Sequence, residues 1–160
     1  MNYVEPSIEL RTVTDEDRDF LLRVYEAARE IELGMTGWNG EQRRAFVEHQ
    51  FTAQDAHYRE HYDNASFDLI LLDGKTAGRL YVNRGDAEIE ILDITVLPEF
   101  RNRGVGTSLV RGLLAEAAAS GRFVVIYIES FNPSQNHFAK LGFVPAGGDD
   151  LVRKFEWKHQ

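Results

Sequence analysis

The chain contains no cysteine, which removes disulfide frameworks, thiolate metal sites and a cysteine nucleophile together. That absence is compatible with a reducing compartment without requiring one. Positive charge is also short: 18 Lys and Arg stand against 26 Asp and Glu, a net charge of −8. A nucleic-acid partner would recruit the opposite balance, so none is expected. An acidic surface instead tolerates a cationic substrate such as an amine. No stretch approaches the ~20 apolar residues of a membrane span. The first ten residues carry Glu5 and Glu9 and lack a basic segment followed by an apolar run. The expectation is a cytoplasmic protein without a membrane partner.

What is present is an ordinary globular composition in 160 residues, enough for one domain spanning 1–160 with its own core. There is no repeat, linker or low-complexity tract. Ile8 to Val13 alternates as a strand. Thr14 followed by Asp15, Glu16 and Asp17 opens a helix whose apolar positions, Phe20, Leu21, Val24, Ala27, Ala28 and Ile31, keep helical spacing until Gly34. A second helix is predicted from about Glu41 to His61. Phe67–Leu72 and Thr76–Val82 flank Asp73-Gly74, the pair that suits a two-residue type I′ turn. Glu88 to Leu97 reads as a long strand, with Glu88, Glu90, Leu92, Ile94 and Val96 on one face and Ile89, Ile91, Asp93 and Thr95 on the other. A helix from Val105 to Ser120 ends at Gly121, and Phe123–Ile128 reads as a strand buried on both faces. A short helix, Ser134 to Leu141, precedes two last strands near 143–145 and 151–157. The class is mixed α/β.

One segment carries chemistry. Arg101-Asn102-Arg103-Gly104-Val105-Gly106-Thr107 lies between a strand and a helix start. Helix N-termini offer unpaired N–H groups and partial positive charge, glycines let a ligand come close, and arginines add charge-assisted contacts. In this acidic chain, residues 101–111 hold three Arg and no acid. The combination suits a diphosphate. A P-loop would need Gly-Lys-Ser/Thr, and a dinucleotide fingerprint a glycine where Leu109 stands.

Arg101-Asn102-Arg103-Gly104-Val105-Gly106 resembles the Arg/Gln-x-x-Gly-x-Gly/Ala signature of the GCN5-related N-acetyltransferase (GNAT) superfamily. A second stretch is similar too: Asn132-Pro133-Ser134, then Phe138-Ala139-Lys140-Leu141-Gly142-Phe143. The resemblance is strong over about 67–145; the first 65 residues match only in element order. It implies a twisted mixed sheet of six or seven strands, flanked by about four helices and splayed between strands four and five. It also implies acetyl-CoA as cosubstrate and no metal. Pantetheine would pair with strand-four backbone near Ile94, Thr95 and Val96. The pyrophosphate would sit on Arg101, Asn102, Arg103, Gly104, Val105 and Gly106, with Thr107 adding a hydroxyl. Asn132 would contact the pantetheine arm or the amine, and Phe138 would border the cofactor.

The reaction so implied is direct attack of a primary amine, from a small molecule or peptide, on the thioester. Glu90 lies eleven residues before Arg101, where histone-acetylating relatives carry a glutamate, and is the candidate base. Glu88 and Glu129 remain alternatives, and an amine of low pKa needs no base. The Val96 N–H is the candidate oxyanion donor. The family often has tyrosine where Phe138 stands, so the acid role passes to Tyr127, Ser134 or solvent. The same departure keeps open a catalytically weak acyl-CoA-binding protein on this fold. A homodimer is likewise left open.

Two signals point elsewhere. His57-Tyr58-Arg59-Glu60-His61 matches a His-x-x-Glu-His zinc pattern but has no third ligand nearby, and reads as a polar face or a wall of the acceptor pocket. Trp38, between Gly37 and Gly40, is either a loop anchor or, with Tyr62, part of that pocket.

Overall fold

The computed structural model describes residues 6–160; residues 1–5, including Glu5, lie outside the description. One seven-stranded sheet runs in the order β1-β2-β3-β4-β5-β7-β6. Its strands are β1 (Ile8–Thr12), β2 (Ala65–Leu72), β3 (Lys75–Arg84), β4 (Glu88–Val96), β5 (Phe123–Glu129), β6 (Val144–Gly148) and β7 (Val152–Trp157). All neighbours pair antiparallel except β4 and β5, which are parallel and need the intervening helix to cross over. The β2–β3 connection uses Asp73 and Gly74 with φ of 51° and 82°, the two positive values a type I′ turn demands.

Helices α1 (Arg18–Ala28), α2 (Glu30–Gly34) and α3 (Gly40–His61) cover one face. Their core gathers Leu21, Tyr25, Leu33, Val47 and Phe51 onto Leu69 of β2. Helices α4 (Val105–Ser120) and α5 (Ser134–Lys140) lie on the other face. There Val105, Val110, Leu113, Leu114, Ala117 and Phe138 pack on Ile89, Ile91, Val124, Ile126 and Ile128.

The structure corrects the sequence reading in two places. The expected helix from Thr14 to Gly34 is a 3₁₀ turn, Asp15–Asp17, followed by α1 and α2. Asp17 turns back to accept from the Thr14 N–H at 2.8 Å and from Arg11, which keeps the first turn tight. Arg29 breaks the remainder with φ −116° and ψ 16°, its guanidinium 3.7 Å from the centre of the Tyr25 ring. The second correction concerns β4. Tyr81 opposes Asp93 whereas Val82 opposes Ile91, so Leu92 is an extra residue. This β-bulge reverses the alternation. Ile94 and Val96 therefore join Ile89 and Ile91 against the α4 core, while Glu90 shares the α3 side with Asp93 and Thr95.

Candidate active site

Pairing between β4 and β5 runs from Glu88↔Phe123 to Ile91↔Ile126 and stops there. Beyond it, Leu92–Val96 of β4 and Tyr127–Glu129 of β5 diverge, leaving a V-shaped opening in mid-sheet. The bulge sits where the strands part. Its carbonyl, displaced from the ladder, accepts from the Tyr58 hydroxyl at 3.2 Å. At the far end of the stretch, Val96 O accepts from Arg101 Nε at 2.9 Å.

The segment from 101 to 107 closes this opening at one end. Asn102 and Gly104 take positive φ, 62° and 77°, and α4 starts at Val105 without any side-chain cap. A Cβ built on Gly104 or Gly106 would meet no protein atom within 4 Å beyond its own turn, so the backbone is open to a ligand there. A chain whose pyrophosphate needs unpaired N–H donors and a close backbone approach fits this cradle. Arg101 is committed to the strand carbonyl, and Arg103 donates to Glu99 O at 3.2 Å while remaining exposed. Thr107 Oγ1 lies 3.2 Å from His137 Nε2 of α5, a hydrogen bond whose direction follows the imidazole tautomer. His137 carried no signal in the sequence; only the packing of α5 beside α4 brings it here.

On the α3 side, Glu90 is half-buried. Burial raises its pKa above the usual carboxylate value and Glu88 adds to the rise; the nearby Tyr62 phenol and the charge of Lys154 oppose it. The Tyr62 phenol is pushed up in turn, first by burial and then by the Glu90 and Tyr127 charges. Glu90, Tyr62, Tyr127 and Lys154 thus form one electrostatic group beside the opening. Asn132 Oδ1 accepts from the Ser134 N–H at 2.9 Å, which orients its amide on the β5–α5 turn.

Other expected residues sit elsewhere. Phe138 is 4% exposed, edge-on to Phe143 in the α4-side core. Trp38 packs its ring 5.1 Å from Phe46 yet stays 38% exposed. His57 and His61 share a face with ring centroids 4.3 Å apart; among the described residues no group of three or more His, Cys, Asp or Glu side chains converges on one point. A cavity of about 240 Å³ lies between α1, α2, α3 and the β4–α4 turn, lined by Arg23, Glu26, Glu30, Arg43 and Glu99 among others. It borders Leu97 but none of residues 101–107. No described helix is long and apolar enough to cross a membrane.

Comparison with known proteins agrees with this geometry. The model of the acetyltransferase (GNAT) family matches residues 24–143. No curated protein sequence matches. Among solved structures, the PaiA N-acetyltransferase of Thermoplasma acidophilum, in complex with coenzyme A, superposes with a TM-score of 0.69 at 17% identity, over 96% of this chain and 99% of that one. An acetyltransferase from Thermus thermophilus gives 0.68 at 17% identity, over 96% and 97% of the two chains. A GCN5-related N-acetyltransferase from Rhodopseudomonas palustris gives 0.65 at 21%, over 99% of each. With the family model covering three quarters of its length and the splayed, bulged sheet in place, this chain belongs to the GNAT family of acetyltransferases.

Proposed function

We propose that the chain is an acetyl-CoA-dependent N-acetyltransferase, one domain over residues 1–160, that acetylates a primary amine of a small molecule or peptide by direct attack. The observation that carries the reading is a coincidence in space. The uncapped, glycine-opened start of α4 lies at the end of the same β4 stretch that has lost its β5 partner. A ligand with an anionic head and a hydrogen-bonding arm matches both at once. The coenzyme A in the Thermoplasma structure supports the choice of ligand.

The backbone N–H groups around Gly104 to Thr107, with Asn102 and Arg103, hold the pyrophosphate; Ile94, Thr95 and Val96 offer main-chain groups to the arm. When bound, the thioester supplies an activated acetyl group. Glu90 takes the proton of the incoming ammonium, directly or through water, and its raised pKa brings it closer to that task. The Val96 N–H donates to the oxygen on which charge builds. Asn132, held by Ser134, presents its amide to the arm or the amine. Phe138 has no proton to give, and a thiol pKa of ~8.5 lets solvent or the half-exposed Tyr127 serve the leaving group.

The test is calorimetric titration of acetyl-CoA, followed by a panel of amines with free thiol monitored. Micromolar binding, weakened at least about tenfold by Arg103→Ala, supports the cradle (~1.4 kcal/mol). Amine-dependent thiol release then establishes transfer. Binding without release would favour the second reading, a catalytically weak acyl-CoA binder, for which the missing phenol at Phe138 speaks. Absence of binding would end both.

A further inference from the structure

A costly polar cluster lies beneath the bulge of β4, on the α3 side of the sheet. Arg79 of β3 is 1% exposed; its Nη2 donates to Asp93 Oδ2 at 2.5 Å and to Gln54 Oε1 of α3 at 2.8 Å. Thr95 Oγ1 donates to the other Asp93 oxygen at 2.6 Å. Tyr58 of α3 donates to Leu92 O. The bonding is incomplete: among the described residues, Arg79 Nε, Arg79 Nη1 and the Tyr81 hydroxyl find no partner. A buried charge so poorly satisfied is weak stabilisation, and apolar packing would serve a sheet better.

What the cluster touches explains its place. Its two contacts with β4, Tyr58 on Leu92 and Arg79 on Asp93, and the Thr95–Asp93 bond within the strand all fall in the stretch that has no β5 partner. Without a ladder on that side, the extra residue can migrate along the strand, and a one-residue slip would exchange the side chains of the two faces. It would also re-aim every N–H from Asp93 to Val96. We propose that Tyr58, Arg79 and Asp93 are positioning residues. They lock the bulge at Leu92 and thereby aim the Ile94 and Val96 N–H groups, which face away from β3, at the reacting carbonyl. The proposal rests on the transferase reading above, and adds to it the side chains that hold the oxyanion donor.

Tyr58→Phe removes one hydroxyl and keeps the ring, which packs edge-on to Tyr81; Asp93→Asn keeps the shape but weakens the link to Arg79. Hydrogen exchange of the 92–96 amides in the free protein, kcat, and the infrared band of the bound acetyl-CoA carbonyl are read in each. Expected are exchange at least about tenfold faster at 92–96 with β2 and β3 unchanged, and kcat at least about tenfold lower. The acetyl-CoA KM should stay within about twofold, with the carbonyl band moved toward its free position. Exchange unaltered in Tyr58→Phe would overturn the lock even if Asp93→Asn fails to fold. Faster exchange with unchanged kcat and carbonyl band would overturn its link to the chemistry. A wild type inert toward acetyl-CoA would sink the transferase reading instead, and the exchange arm would still decide whether Tyr58 holds the bulge.

Discussion

Glu90 shows what a residue can reveal once its neighbours are known. The sequence offers a glutamate on a strand, which is equally a wet face; the structure half-buries it beside Glu88, with the Tyr62 phenol nearby. A carboxyl whose pKa is raised by folding is most favourable to the folded state below its unfolded value. That contribution is lost as pH rises through the folded value. At neutral pH its charge therefore works against stability. Glu90→Gln should leave Tm unchanged or raise it, while kcat falls roughly a hundredfold. The acidic limb of the pH–rate profile, where wild-type activity drops as Glu90 takes a proton, should vanish with it. A mutant that melts early but keeps its kcat would make Glu90 structural. His137 and Arg79 teach the converse: neither stood out in the sequence, because an imidazole near a helix start and an arginine on a strand acquire meaning only from what packs against them.

Among the elements, the start of α4 was the most legible. Gly104 lies in the left-handed region, and at Gly106 a Cβ would meet no protein atom outside its own turn. Gly106→Ala would meet no protein atom, so Tm should hold within a few degrees. The methyl would intrude on the space a pyrophosphate needs, and calorimetry should show acetyl-CoA binding at least about tenfold weaker. Equal affinity would move the anion site elsewhere. The other end of α4 is tied to β3 through Glu116, which accepts from Arg84 at 2.6 and 3.1 Å and from Arg122 at 3.3 Å. The Arg84 hydrogen bond is the main reason its carboxyl lies below the usual range. Such a depressed group stabilises above its unfolded pKa, and the benefit is lost as pH falls through the folded value. Glu116→Gln should thus cost at most about 1 kcal/mol at pH 7, screened as the pair is, and nothing at about pH 2. Equal losses at both pH values in urea melts would show that packing, not charge, is responsible.

At the scale of the whole molecule, the sheet depends on close backbone approaches, the tightest among the described residues being at Gly78. Gly78 of β3 pairs with Val96, and a Cβ there would lie 2.0 Å from Thr95 O. Gly78→Ala must therefore push β3 from β4, and a loss of more than about 3 kcal/mol is expected in denaturant unfolding; a near-neutral result would mean the strands can part without cost. The strand order along the chain, the Asp73-Gly74 turn, the span of α4 and the glycines at its start were readable without coordinates. Each is set by residues adjacent in the chain, through glycine's positive φ, capping and periodicity. The break at Arg29 was not, since it follows the stacking of Arg29 on Tyr25. Nor was the bulge at Leu92. Ile91 and Leu92 stand as adjacent apolar residues in an otherwise alternating run, but only the register against Tyr81 and Val82 shows that the second is an extra residue. The sequence alone thus determined where α4 begins and where its glycines fall. Tertiary pairing decided which way β4 turns its side chains and where the sheet opens, because strand register is a property of two segments and not of either one.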